Sequence, residues 1–151
     1  MKQKIVIGTD HAGFELKEHI KNQLAERGFE VIDKGAHAYK KSDDYPDFII
    51  TVAKEIAKNP GYRGIILGGS GQGEAIAANR IKGVRAALYY GGNIDIVKLS
   101  RAHNDSNILS LGARFLSNEG AMKAVDLWLA TKFNDEERHA RRIKKIDMLA
   151  K

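Results

Sequence analysis

From Gly68 the chain reads Gly68-Gly69-Ser70-Gly71-Gln72-Gly73-Glu74, four glycines in six positions, then a carboxylate. A main chain this bare can approach a ligand closely and aim backbone N–H groups at an anion or at an oxygen that becomes negative during reaction. Glu74 adds a proton acceptor directly beyond it. Two phosphate-binding signatures fail on spacing. A G-x-G-x-x-G counted from Gly69 puts Glu74 at the third glycine, counting from Gly71 puts Ile76 there, and no G-K-[ST] ends the loop. Further groups able to do chemistry are His11 in Thr9-Asp10-His11-Ala12-Gly13, His103 beside Asn104, and Arg138 and Arg142. The two arginines are four apart, so on a helix both forks point the same way. Taken singly, each has a plain reading. Glu74 is a first-turn acid worth ~0.3–1 kcal/mol against the helix dipole, the histidines are loop residues, and the arginines form a solvated basic face with Glu137 pairing Arg141. No carboxylate and histidine cluster has metal-ligand spacing.

The elements that must position these groups alternate. Apolar runs at Lys4 to Gly8, Glu30 to Asp33, Ile65 to Leu67, Val84 to Leu88 and Asn107 to Leu111 predict strands. Between them, Leu16, Ile20 and Leu24 recur at four-residue spacing on a helix that Gly28 stops. Pro46 opens a helix with Ile49, Val52, Ala53 and Ile56 on one stripe, broken at Asn59-Pro60-Gly61. Ala75 to Arg80 reads as a helix beyond the glycine loop. Gly91-Gly92 leads into a helix containing Ile96 and Leu99, and Ala121, Val125 and Trp128 form the inner stripe of another. A last helix is expected from about Asn134 as N-cap, with Asp135, Glu136 and Glu137 in its first turn. The aperiodic stretch from Lys34 to Tyr45 is long for a connector and predicts a functional loop at the rim of a site. Five strands alternating with helices predict one α/β domain over 1–151, a doubly wound, three-layer, Rossmann-like fold with a five-stranded parallel sheet and a C-terminal helix. In such a sheet ligands sit beyond the carboxyl ends of the strands, where Asp10, His11, Ser70, Glu74 and Arg114 all fall.

Composition narrows the function. The chain has 151 residues, 43% of them hydrophobic, enough for a single core. With 25 Lys and Arg against 19 Asp and Glu, the formal charge is +6, which suits an anionic ligand. There is no cysteine, which excludes disulfides, thiolate catalysis and Cys-ligated zinc. No signal peptide or membrane-length apolar run is present, so a cytoplasmic protein is expected.

The segments Gly8-Thr9-Asp10-His11-Ala12-Gly13-Phe14, Asp44-Tyr45-Pro46-Asp47, Gly68 to Glu74, Ala77-Ala78-Asn79 and Arg101-Ala102-His103-Asn104-Asp105-Ser106-Asn107 stand in the order seen in type B ribose-5-phosphate isomerases. The chain resembles that family along nearly its whole length, including the Arg138-His139 region. The wider family includes isomerases of allose 6-phosphate and galactose 6-phosphate. One branch uses a cysteine at the position of Gly68 as base. With glycine there, this chain resembles the other branch, in which a glutamate at the position of Glu74 moves the proton.

The resemblance implies an aldose-ketose isomerase working through a cis-enediolate without metal or cofactor. His103 matches the family's ring-opening histidine, and Ser70 hands a proton between the two sugar oxygens. Gly69, Gly71, Gln72 and Gly73 supply loop donors and Tyr45 a further substrate contact. By the family pattern His11, Arg114, Arg138 and Arg142 hold the phosphate, with Asp10 and Asn104 on sugar hydroxyls. His139, like His19 and His37, is left as surface or structural. The resemblance further implies a homodimer or dimer of dimers with shared sites. Asp10, His11 and Glu74 would come from one subunit, and His103, Asn104 and Arg114 from its neighbour. A six-carbon sugar phosphate is the alternative substrate. A nucleic-acid module, suggested by the basic tail from Arg138 to Lys145, lacks an RNP-like strand or zinc-finger spacing; neither nucleic acid nor membrane is expected as a partner.

Overall fold

Each apolar run becomes a strand because both of its faces are covered. In the computed structural model, which describes residues 2–150, five parallel strands stand in the order β2-β1-β3-β5-β4. They are β1 (Lys4–Thr9), β2 (Glu30–Asp33), β3 (Arg63–Gly68), β4 (Ala86–Tyr89) and β5 (Ile108–Gly112). Side chains alternate faces along a strand. Ile65 and Leu67 pack with α1 (Phe14–Glu26), α4 (Asp95–Ala102) and α5 (Asn118–Ala130) around buried Trp128. Ile66 and Val6 pack with α2 (Tyr45–Lys58) and α3 (Gln72–Asn79). The three-layer expectation holds. A sixth helix, α6 (Glu137–Leu149), buries only His139. Among the described residues no helix is long and apolar enough to cross a membrane.

From β1 the chain moves outward to β2, then returns to β3 on the other side of β1. The reversal opens a crevice above the carboxyl ends of β1 and β3, where a ligand site belongs in an open α/β sheet. The Thr9 hydroxyl, fully buried, donates to Leu67 O at 3.0 Å and ties the two strand ends together. Beside them Lys17, also fully buried, donates to both Asp33 oxygens at 2.9 and 2.8 Å and to Ala36 O at 2.7 Å. Burial alone would raise the Asp33 pKa, but Lys17, Lys21 and the Gly35 N–H outweigh it and hold it below the usual value.

Several boundaries differ from expectation. Helix α3 starts at Gln72 rather than beyond Glu74, because Gly71 takes the left-handed conformation (φ 78°) and serves as its N-cap. Strand β4 starts at Ala86, since the Val84 N–H still closes a turn onto Ile81 O and Asn107 Oδ1 takes the Arg85 N–H. Strand β5 is displaced by one residue from the expected span. Asn134 does not cap α6. Its Oδ1 accepts from Glu136 N at 3.2 Å and Asp135 turns left-handed (φ 51°), so the helix waits until Glu137 with Glu136 as N-cap. On α4 the inward residues are Val97 and Arg101, while Ile96 and Leu99 are exposed.

Candidate functional site

The glycine loop is folded down onto the end of β5. The Ser110 hydroxyl donates to Gly71 O at 2.7 Å, and the Arg114 N–H donates to Gly69 O at 3.0 Å. A Cβ added to Gly69 would lie 3.1 Å from an Arg114 guanidinium nitrogen, and one on Gly73 would lie 2.6 Å from the Tyr45 hydroxyl. Arg114 and Tyr45 therefore flank the loop on two sides. The Ser70 Oγ accepts from the Gln72 N–H at 3.3 Å, at the start of α3.

The first turn of α3 turns Glu74 back over the strand it follows, and only 4% of the residue is exposed. Its carboxylate occupies the space in which a Gly68 side chain would stand, so a Cβ there would overlap it. Glycine at 68 and glutamate at 74 are thus one packing unit. Burial raises the Glu74 pKa above the ordinary carboxylate value; its own N–H opposes this and Asp10 reinforces it. A buried carboxylate with an elevated pKa can accept a proton from a bound ligand.

Beyond β1, Asp10 caps a short turn over His11–Gly13 by accepting from Ala12 N at 3.0 Å. The next contact was not legible in the sequence. Asp43, from the long loop, accepts from the His11 backbone N–H at 3.0 Å and lies 2.6 Å from its Nδ1. Asp10, His11 and Asp43 bring ligand-capable atoms within 4.8 Å of one another, although sequence spacing showed no such cluster. The His11–Asp43 contact is a hydrogen bond through Nδ1, which leaves Nε2 as the ring nitrogen open to a ligand.

The remaining candidates lie elsewhere. Helix α4 runs back from the carboxyl end of β4 to the amino end of β5, and His103 is its C-cap. The segment that follows is pinned there. Trp128 Nε1 donates to Ser106 Oγ at 2.8 Å, Arg101 donates to Ser106 O at 2.6 Å, and Asn107 O accepts from Gly64 N at the start of β3. The Asn134 N–H donates to Ala102 O at 3.1 Å and brings α6 alongside, so that the His139 ring stacks on His103 at 4.2 Å and 12°. Burial lowers the His139 pKa, and His103 and Arg138 lower it further, keeping the ring neutral. Arg138, Arg142 and Asn104 are exposed, and Arg138 pairs with Glu136 at 3.3 Å. Arg141 pairs with Glu137 as expected.

The chain therefore gathers Asp10, His11, Tyr45, Gly69, Ser70, Gly71, Gln72, Gly73, Glu74 and Arg114 at the carboxyl end of the sheet. His103, Asn104, Arg138 and Arg142 stand apart at the amino end. The resemblance gives Arg114 to the neighbour's share of the site; in this chain the turn after β5 sets its side chain over Gly69. Sequence reasoning missed Asp43 and left His139 without a role. For Asp43 the only signal was its place just before the Asp44-Tyr45-Pro46-Asp47 motif, and for His139 its place beside Arg138.

Comparison with known proteins gives the family and the fold. The profile of the family described as Ribose/Galactose Isomerase matches residues 5–146. Ribose-5-phosphate isomerase B of Mycobacterium tuberculosis is 42% identical over 147 residues, covering 97% of this chain and 88% of that protein. The Escherichia coli ribose-5-phosphate isomerase B is 40% identical, covering 95% and 94%. Among solved structures, ribose-5-phosphate isomerase B from Mycoplasma genitalium with bound ribulose-5-phosphate superposes with a TM-score of 0.93 at 39% identity, covering 99% of this chain and 97% of that one. The Clostridium thermocellum enzyme gives 0.91 at 44% identity, covering 97% of each.

Proposed function

The chain belongs to the ribose/galactose isomerase family, and from that membership we propose that it interconverts ribose 5-phosphate and ribulose 5-phosphate with Glu74 as the proton-transfer base. The observation that carries this is the Glu74 carboxylate, buried against Gly68 in the first turn of the helix that follows the glycine loop.

The aldose first opens. The ring oxygen gains a proton while the anomeric hydroxyl loses one, a transfer suited to histidine near neutral pH, and the partner subunit's His103 serves it. Glu74 then takes the proton from C2, giving a planar cis-enediolate. Its negative charge lies on the oxygens of C1 and C2, where loop N–H donors fixed in advance are each worth up to ~10²–10³ in rate. Ser70 passes a proton between those oxygens, and Glu74 returns its proton to C1. One base serves both steps because the intermediate presents C1 and C2 on one face. His11 and Arg114 hold the phosphate from one side. Arg138 and Arg142 of the partner subunit hold it from the other, and Asp10 with the partner's Asn104 orients the hydroxyls. The placement of the two residue sets at opposite ends of one sheet supports a site completed by a second copy.

Initial rates on ribose 5-phosphate, allose 6-phosphate and galactose 6-phosphate test the substrate, with ribose 5-phosphate expected to give the highest kcat/KM. Glu74→Gln should lower kcat on it by about 10²–10⁴ while KM stays within a few-fold. Comparable turnover in the Gln variant, or preference for a six-carbon sugar phosphate, overturns the reading.

A further inference from the structure

We propose that Asp43 is a positioning residue for His11, holding the imidazole in one orientation with Nδ1 protonated and Nε2 turned toward the substrate phosphate. The proposal rests on the reading of His11 as a phosphate ligand. It starts from an aperiodic loop that nevertheless delivers one carboxylate to a defined place. Asp43 Oδ1 accepts from the His11 backbone N–H at 3.0 Å and sits 2.6 Å from Nδ1 of the same residue. One oxygen thus holds both the main chain and the ring, which restricts both side-chain torsions of His11. An ionised carboxylate only accepts, so the shared proton belongs to Nδ1, and Nε2 is the ring atom left to meet a ligand.

The surroundings exclude another arrangement. Asp10 Oδ2 is 4.0 Å from Nδ1, beyond hydrogen-bond reach, and the other oxygen of Asp10 is occupied by Ala12 N. Tyr39, also from the loop, meets the His11 ring edge-on at 6.0 Å and 88°. The Asp43 side chain is 8% exposed, and its Oδ2 is buried without a hydrogen-bond partner among the described residues. A carboxylate buried to this degree costs several kcal/mol unless a partner compensates it, and the His11 backbone and ring are its two partners. The Asp43 N–H donates to Lys40 O at 3.0 Å and closes a turn that sets the direction of the carboxylate within the loop.

Kinetics of His11→Ala, Asp43→Asn, Asp43→Ala and the His11→Ala/Asp43→Ala pair in the assembled enzyme test the proposal, together with ¹⁵N NMR of the imidazoles. In the wild type, His11 is expected to show a protonated Nδ1 with a slowly exchanging, downfield proton, and Asp43→Ala to lose it, while Asp43→Asn, whose amide oxygen still accepts, should shift it upfield. Asp43→Ala should raise KM for ribose 5-phosphate and Ki for inorganic phosphate by about three- to tenfold, and Asp43→Asn by less, with kcat within about twofold, as expected for loss of uniform binding. In the His11→Ala background, Asp43→Ala should add less than about twofold, since it acts through the missing ring. The proposal falls if Asp43→Ala leaves the ring shifts, KM and Ki unchanged, or if the two Ala effects multiply. If His11→Ala itself leaves KM and Ki unchanged, the phosphate role of His11 is lost. The ring shifts then still decide whether Asp43 fixes the imidazole.

Discussion

The two ends of the sheet hold their chemical groups by different means. At the carboxyl end Glu74 is wedged against Gly68, the glycine loop is tied to β5 through Ser110 and Arg114, and His11 is held by Asp43. Position there follows from adjacent strands that cannot move apart without breaking the core. At the amino end the arginines ride on α6, which buries one residue and offers Ile146, Met148 and Leu149 to solvent. His103 is anchored through α4 and Trp128, yet its neighbour Asn104 is exposed. One half of the proposed site is ordered within the subunit. The arginines of the other half stand on a helix that packs little of itself against the sheet.

The contrast breaks most sharply by complementation. Glu74→Gln and His103→Ala homodimers should each lose about 10²-fold or more of activity. In a two-fold dimer with shared sites, a heterodimer of the two has one intact site and one doubly defective one, so refolding them in equal amounts should restore roughly a quarter of wild-type activity. A mixture that stays inactive while mass measurement shows heterodimers would mean that both residues serve one subunit.

A smaller effect probes the carboxyl end alone. Gly68→Ala forces its methyl group into the Glu74 carboxylate, and a misplacement of about 1 Å should cost kcat on the order of 10²-fold. The Ki of inorganic phosphate should stay nearly constant, because the phosphate groups lie elsewhere. Wild-type turnover in this variant would show that the carboxylate position is not critical.

The mildest test is thermodynamic. Folding raises the Glu74 pKa through burial and Asp10. Its contribution to stability is therefore fully present below the unfolded value of about 4.3 and is lost as pH rises through the higher folded value. Glu74→Gln, which carries no charge to desolvate, should melt about 3 °C above wild type at pH 7–8, the rise that a gain of about 1 kcal/mol gives a domain of this length. The gap should close toward pH 4, where the wild-type carboxyl is itself neutral. His103, half-buried at the other end, should show no such gain on substitution. A Gln variant that melts lower at neutral pH would mean the ionised carboxylate is stabilised rather than strained.

Much of this architecture was legible in the residues. Runs such as Ile65-Ile66-Leu67 have no polar face, so they fit a strand covered on both sides, and Leu16, Ile20 and Leu24 can align only on a helix. The glycine loop announced a close backbone approach, and Glu74 announced itself by standing at its end. These features are local, set by steric and solvation rules that act over a few residues.

What tertiary structure decided was distance. Asp43 and His11 are 32 residues apart, and an aperiodic loop carries no pattern to say which of its polar groups turns inward. His103 and His139 stack where the Asn134 N–H joins the segment leading into α6 to the end of α4. Arg114 joins its own glycine loop because β5 lies beside β3, which strand order settles and composition does not. The separation of Glu74 from His103 has the same origin. A helix that follows a parallel strand must run back along the sheet, and it carries whatever stands at its far end to the opposite edge.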